Sequence, residues 1–245
     1  MKIFVAIDDT DNADSKGTGF RARQLASMIY EAGLGKVSGV TRHQLFVNEA
    51  IPYTSHNSSA CIVLSAEPEN LKTIIDLSAK YLLEHAAEGS DAGLCVCTEE
   101  HITDELVAFG KRAKCEVLTM DTARQLAKKL KIFLEGYTGT KQGIIGSLAA
   151  VGLHAGGNDG RFLQTKGMRE IFGSYTAKEI LEITGVGKII SAENQILVNF
   201  EKIFLTDWWR PVLQQNQVVL FVEPVNNKDY EYIVISKDRI KSISN

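Results

Sequence analysis

The stretch IFVAIDDTDNADSKGTGFRARQLASMIYEAG, residues 3 to 33, decides how the chain is read. Ile3 to Ile7 are too few for a helical core and are of the β-branched and aromatic types that favour a buried strand. Beyond Gly19, Phe20, Leu25, Met28, Ile29 and Ala32 recur at helical intervals, and Gly33 or Gly35 can supply a left-handed cap. Strand, acidic loop and helix follow, with the helix starting between Thr18 and Phe20. Asp8, Asp9 and Asp11 crowd like charges where the strand ends, which a cation or hydrogen-bond donors must offset. Mg²⁺ takes one or two carboxylates plus water and phosphate oxygens, and a helix start offers N–H groups to an anion. The loop with Gly17-Thr18-Gly19 therefore predicts a metal-nucleotide or metal-phosphate site. The alternative is a solvated turn in which Asp and Asn only bond backbone.

The 245 residues suffice for one large or two modest domains. A net charge of −3 gives no global pull toward nucleic acid, so an RNA contact would need a local basic patch. Apolar runs are too short to span a membrane, and acids interrupt the first before it could serve as a signal segment, which places the expectation in the cytoplasm. Cys61, Cys95, Cys97 and Cys115 lack the paired spacing of a zinc site and read as buried free thiols.

Two strands, 37–47 and 60–64, flank a loop over 48–59 rich in hydroxyls and amides. It is either a binding loop for a polar substrate or a long hairpin connection. From Cys61, CIVLSA, GLCVCT and CEVLTM read as strands alternating with helices over 68–83 and 103–113, a small ferredoxin-like or related sandwich. Another helix starts at Asp121. In residues 136–163, Gly136, Gly139, Gly143 and Gly146 lead into a buried helix. Thr140, Lys141 and Gly143 could meet a phosphate there, or the glycines could serve close packing alone. Asp159 and Arg161 stand in the turn that follows. Residues 164–193 read as weakly helical, and 195 onward as antiparallel strands of a small β unit. Trp208 and Trp209 could stack on a base or pack in a core.

Several motifs are absent. The Gly-Lys pairs at 35, 110 and 187 lack the Ser or Thr of a Walker A loop. Residues 17–22 fit G-x-G-x-x-A but lie nine residues beyond the strand, too far for a dinucleotide turn. Asp9-Thr10-Asp11 fits the nucleophile loop of an aspartyl phosphatase, without the later acidic pair.

The IDDTD box at 7–11, NEAIPYTSHNSSA at 48–60 and GIIGSLAAVG at 143–152 together resemble, over residues 1–163, the archaeal tRNA-isoleucine agmatinylcytidine synthetase family. The resemblance implies an α+β chain: a split kinase-like nucleotide-binding domain over 1–59 and 119–193, a ferredoxin-like insertion over 60–118, and a small C-terminal β unit over 194–245. The family's full enzymes continue into an OB-fold and a cysteine-rich zinc ribbon that grip tRNA, and the expectation from these 245 residues and four cysteines is that neither is among them. It implies ATP and Mg²⁺ as cofactors, with Asp8, Asp9 and Asp11 as metal and phosphate ligands and Thr18 as approximate counterpart of a phosphorylatable threonine. On this expectation Gly17, Thr18, Gly19, Lys141, Gly143, Gly146 and Arg161 hold nucleotide, and His56, Asn57 and Ser58 hold the acceptor. Asp159 completes the metal shell or orients the nucleophile. The expected activity is that of an ATP-using phosphotransferase or ligase, acting on a small polar molecule or an RNA element. A non-catalytic nucleotide- or RNA-binding regulator is the alternative.

Overall fold

The computed structural model describes residues 1–51 and 57–244. They form two compact units that divide at Gly156/Gly157.

The first unit runs, in order, β1 (Lys2–Asp8), α1 (Thr18–Glu31), β2 (Lys36–Gln44), β3 (Ser58–Ser65), α2 (Leu71–His85), β4 (Gly93–Thr98), α3 (Asp104–Arg112), α4 (Met120–Leu130), β5 (Phe133–Gly136) and α5 (Gly143–Ala155). Its sheet has the order β5-β4-β1-β3-β2, and every pairing is antiparallel. β1 is central because it is apolar on both faces. Ile3, Val5 and Ile7 are fully buried, each contributing roughly 1.5–3 kcal/mol, and on the opposite face Phe4 and Ala6 join Cys61, Val63, Cys95 and Cys97 beneath α3, α4 and α5. Segments 1–59, 60–118 and 119–156 thus share one sheet, since β1 pairs on both sides with strands of the middle segment.

The helix starts follow ordinary capping chemistry. Thr103 Oγ1 accepts the Leu106 N–H and Thr119 Oγ1 that of Thr122. Gly33 takes the left-handed conformation just past α1. CEVLTM does not form the expected strand. The Cys115 and Glu116 N–H groups both bond to Arg112 O, turning the chain after α3, and β5 supplies the strand beside β4 instead. Of the four thiols, Cys61, Cys95 and Cys97 are buried and Cys115 is exposed.

A buried polar cluster lies beneath α5. Thr41 Oγ1 is 2.8 Å from both His43 Nε2 and His154 Nδ1. One hydroxyl can donate to one ring and accept from the other, and burial, with His43 beside it, holds the His154 pKa well below its usual value. Thr41→Val strands two buried ring nitrogens and should cost about 1–3 kcal/mol. A lower urea midpoint with an unchanged slope would show it; an unchanged midpoint would mean that the rings find other partners.

The second unit contains β6 (Arg161–Gln164), β7 (Gly173–Thr176), α6 (Ala177–Ile183), β8 (Lys188–Ser191), β9 (Ile196–Leu197), β10 (Lys202–Leu205), β11 (Val212–Gln214), β12 (Gln217–Pro224), β13 (Tyr232–Val234) and α7 (Lys237–Ser244). Its strands run β6-β11-β12-β13-β10-β7, with β8 and β9 branching from β12. Two departures from the sequence reading appear. Residues 164–193 contribute strands as well as one short helix, because the positive φ of Gly167 and Gly173 interrupts helical geometry. The sheet is mixed, with β10 parallel to β13 and β8 parallel to β12. The tryptophans separate: Trp209 is buried and donates to Ile171 O, while Trp208 lies beneath Arg210 and Lys237.

Among the described residues no helix is long and apolar enough to cross a membrane.

Candidate nucleotide and metal site

β1 ends at Asp8, and the antiparallel register sets Asp8 opposite Gly93 of β4. The start of α5 crosses at that point. A Cβ on Gly143 would lie 2.5 Å from Asp91 O, 2.7 Å from Gly93 N and 2.8 Å from Asp8 O, and one on Gly146 would overlap Asp8 Oδ2. The glycines at the head of α5 are therefore needed so that a helix can rest on the carboxylate at the strand end.

A cavity of about 110 Å³ opens there. One ordered water takes roughly 10–15 Å³, so a hydrated cation and a phosphate group have room. Its polar wall includes Asp8, Asp9, Asp11, Thr18, Asn57, Ser58, Glu116, Gln142 and the glycines 143 and 146, and its apolar wall Leu45, Val117, Leu118 and Ile145. Among the described lining residues there is no Lys, Arg or His. Burial, then the neighbouring Asp9, pushes the Asp8 carboxyl well above its usual range. Asp9 is pushed up to about 6 by burial, then by Asp91 and Asp11, and its backbone is left-handed at φ 50°. Such conformations in a non-glycine residue concentrate at functional sites.

Asp11 has a different role. Its Oδ1 accepts the Thr18 N–H at 3.1 Å and the Thr18 hydroxyl at 2.7 Å, so a carboxylate already sits on the start of α1. The Thr18 amide is thus bonded within the protein, and so is that of Gly143, which donates to Asp91 O at 2.9 Å. Two of the backbone donors expected to hold phosphate are therefore engaged elsewhere.

The other expected residues divide. Asn57 and Ser58 line the cavity, Asn57 with its amide held on Phe46 O at 2.6 Å. His56 lies outside the described residues. Gly17 caps α1 and Gly19 lies in its first turn, neither on the cavity wall. Lys141 is also off the wall, its Nζ 4.0 Å from Glu135. Asp159 and Arg161 belong to the second unit, where Arg161 is buried with Nη1 3.4 Å from Ser244 Oγ. Their assignment rests on the sequence alone.

Sequence reasoning missed Asp91, Glu116, Val117, Leu118 and Gln142. The 116–118 segment was hidden by its resemblance to a strand. Asp91 carried no local signal, because its position beside Asp9 depends on the β1–β4 register.

Among the described residues no three His, Cys, Asp or Glu side chains converge as a metal cage. Mg²⁺ asks for less: one or two carboxylates, with water and phosphate completing the shell. Asp8 and Asp9, both held above their usual pKa by burial and then by neighbouring carboxylates, fit that demand.

Compared with known protein families, the chain matches none. It is 26% identical over 152 residues to the uncharacterized protein MJ0921 of Methanocaldococcus jannaschii, a match covering 62% of this chain and 50% of that protein. Among solved structures it resembles apo TiaS, a tRNA-isoleucine agmatidine synthetase, at 28% identity and TM-score 0.53, covering 62% of this chain and 35% of that one. It resembles the TiaS complex with tRNA and ATP at 29% and 0.54, and that with tRNA, AMPCPP and agmatine at 27% and 0.53, each covering 62% of this chain and 36% of the other. These likenesses support a TiaS-like fold over the matched portion. The chain spans about half of the curated relative and about a third of each solved one.

Proposed function

We propose that this protein is an Mg²⁺-dependent, ATP-using ligase or phosphotransferase related to TiaS, acting on a small polar molecule or an RNA element. The observation that carries the reading is the charge of the cavity. Asp8, Asp9, Asp11 and Glu116 line it, no cationic side chain appears among its described residues, and the nearby Thr18 and Gly143 amides are already bonded. Phosphates enter such a space only with a cation. The solved TiaS complexes with ATP and AMPCPP make a nucleotide the natural candidate.

Asp8 and Asp9 would hold the metal, which when bound neutralises phosphate charge. Asp11 orients the Thr18 hydroxyl, fixing that oxygen on the cavity wall. The apolar wall of Leu45, Val117, Leu118 and Ile145 excludes water on the other side. Catalysis in this arrangement is alignment and electrostatic stabilisation.

Isothermal titration calorimetry tests the reading. ATP is expected to bind with Mg²⁺ and to give no heat in EDTA. Absence of binding with any divalent metal would overturn it. If binding occurs, ATP consumption stimulated by tRNA or by small amines identifies an enzyme, whereas binding without consumption across acceptors identifies a nucleotide-binding regulator.

A further inference from the structure

We infer that Asp91 is a positioning residue for this site, tethering the turn over 138–141 and the head of α5 to the segment that leads into β4. The inference rests on reading the cavity as a nucleotide site, and it concerns a residue that touches no ligand.

Asp91 precedes β4 and uses its carboxylate on the turn and its carbonyl on the helix that follows. Its carboxylate accepts the Thr140 N–H and, at 2.6 Å, the Thr140 hydroxyl. Its carbonyl accepts the Gly143 N–H at 2.9 Å, at the first residue of α5. Neighbouring bonds reinforce the clamp: Thr138 Oγ1 donates to Ser90 O at 2.7 Å and accepts the Ala92 N–H at 2.8 Å.

The held turn is not one the chain would keep unaided. Gly139 and Lys141 are both left-handed, at φ 52° and 67°, and for lysine that conformation is unfavourable. The turn also fits closely against its clamp, since a Cβ on Gly139 would overlap the Asp91 carboxylate. Where it releases the chain sets where Gln142, Gly143 and Gly146 stand on the cavity wall, and Gly146 lies against the Asp8 carboxylate. Without the Asp91 carboxylate the Thr140 N–H loses its acceptor and its hydroxyl keeps only the Gln142 side-chain amide, and the head of α5 shifts away from Asp8. The backbone bonds of Asp91 survive substitution, so the effect should fall on ligand geometry more than on folding.

The test is a double-mutant cycle on Mg·ATP affinity by calorimetry, using wild type, Asp91→Ala, Thr140→Ala and the double variant. Asp91→Ala is expected to weaken binding tenfold or more. The double variant should bind no worse than Asp91→Ala, because both changes remove one tether. Asp91→Asn, which keeps an acceptor for the Thr140 N–H, should recover part of the loss. Amide hydrogen exchange on the same proteins should show protection lost at Thr140 in Asp91→Ala and kept at Val5 in β1. Asp91→Ala binding within twofold of wild type, losses that multiply in the double variant, or unchanged Thr140 protection would each overturn the inference. Wild type failing to bind Mg·ATP would defeat the nucleotide reading instead, and the exchange measurement would still decide whether the tether exists.

Discussion

Gly143→Ala should lower the melting temperature by roughly 6–12 °C, the shift expected when about 3 kcal/mol is lost from a unit of this size. Its Cβ would press on Asp91 O, Gly93 N and Asp8 O, all backbone atoms of the central strands or of their approach, and none can swing aside. Gly146→Ala makes the informative contrast. There the Cβ meets the Asp8 carboxylate, a short side chain that can rotate at some cost. Gly146→Ala should therefore lose less stability than Gly143→Ala while displacing the proposed metal ligand, so that Mg·ATP affinity falls more steeply than the melting temperature. Differential scanning calorimetry and titration on the two variants check this pair, and equal melting temperatures would show that α5 is not fixed by backbone contact at Gly143.

Asp9→Asn is expected to weaken Mg·ATP binding at least a hundredfold and abolish turnover without lowering the stability of the metal-free protein. The sign follows from the carboxyl's raised pKa. In the unfolded chain it titrates near its ordinary value of about 3.9, and in the folded protein near about 6. Between those values the folded state binds more protons than the unfolded one, so stability falls as pH rises. The contribution is fully present below about pH 4 and is lost as pH rises through about 6; Asp8, also shifted upward, acts in the same direction. Without metal, wild type should melt progressively lower from pH 4.5 to 7.5, and Asp9→Asn should show a shallower decline. Added Mg²⁺ and ATP should recover wild type at pH 7.5 and leave the variant unchanged. A variant several degrees less stable than wild type at pH 7.5 without metal would show that the Asp9 charge supports the fold.

The ends and interiors of the regular elements in the first unit were legible because their signals are local. Ile3 to Ile7 read as a strand, 103–113 as a helix and 143–152 as a buried helix, and each is so. Where the reading went astray, two local patterns competed. CEVLTM alternates like a strand, yet the bonds to Arg112 O claim its first residues for a turn, and that turn delivers Glu116 to Leu118 to the cavity. In the second unit, glycines and β-branched residues left helix and strand open until pairing partners settled the matter.

The sequence by itself determined that three carboxylates end a buried strand and that a small-residue helix follows far along the chain, because both depend on residue type over a few positions. Only the tertiary structure decided that the Asp11 carboxylate bonds Thr18 at the start of α1, that the Thr18 and Gly143 amides are engaged, and that Asp91 stands beside Asp9. The Asp11–Thr18 bond folds the loop back onto its own helix, whereas the Gly143 bond and the nearness of Asp91 to Asp9 arise from antiparallel register and from the passage of α5 over β1 and β4, between residues some 50 to 80 positions apart. Hydrogen bonds of that separation leave no periodicity for a single sequence to display.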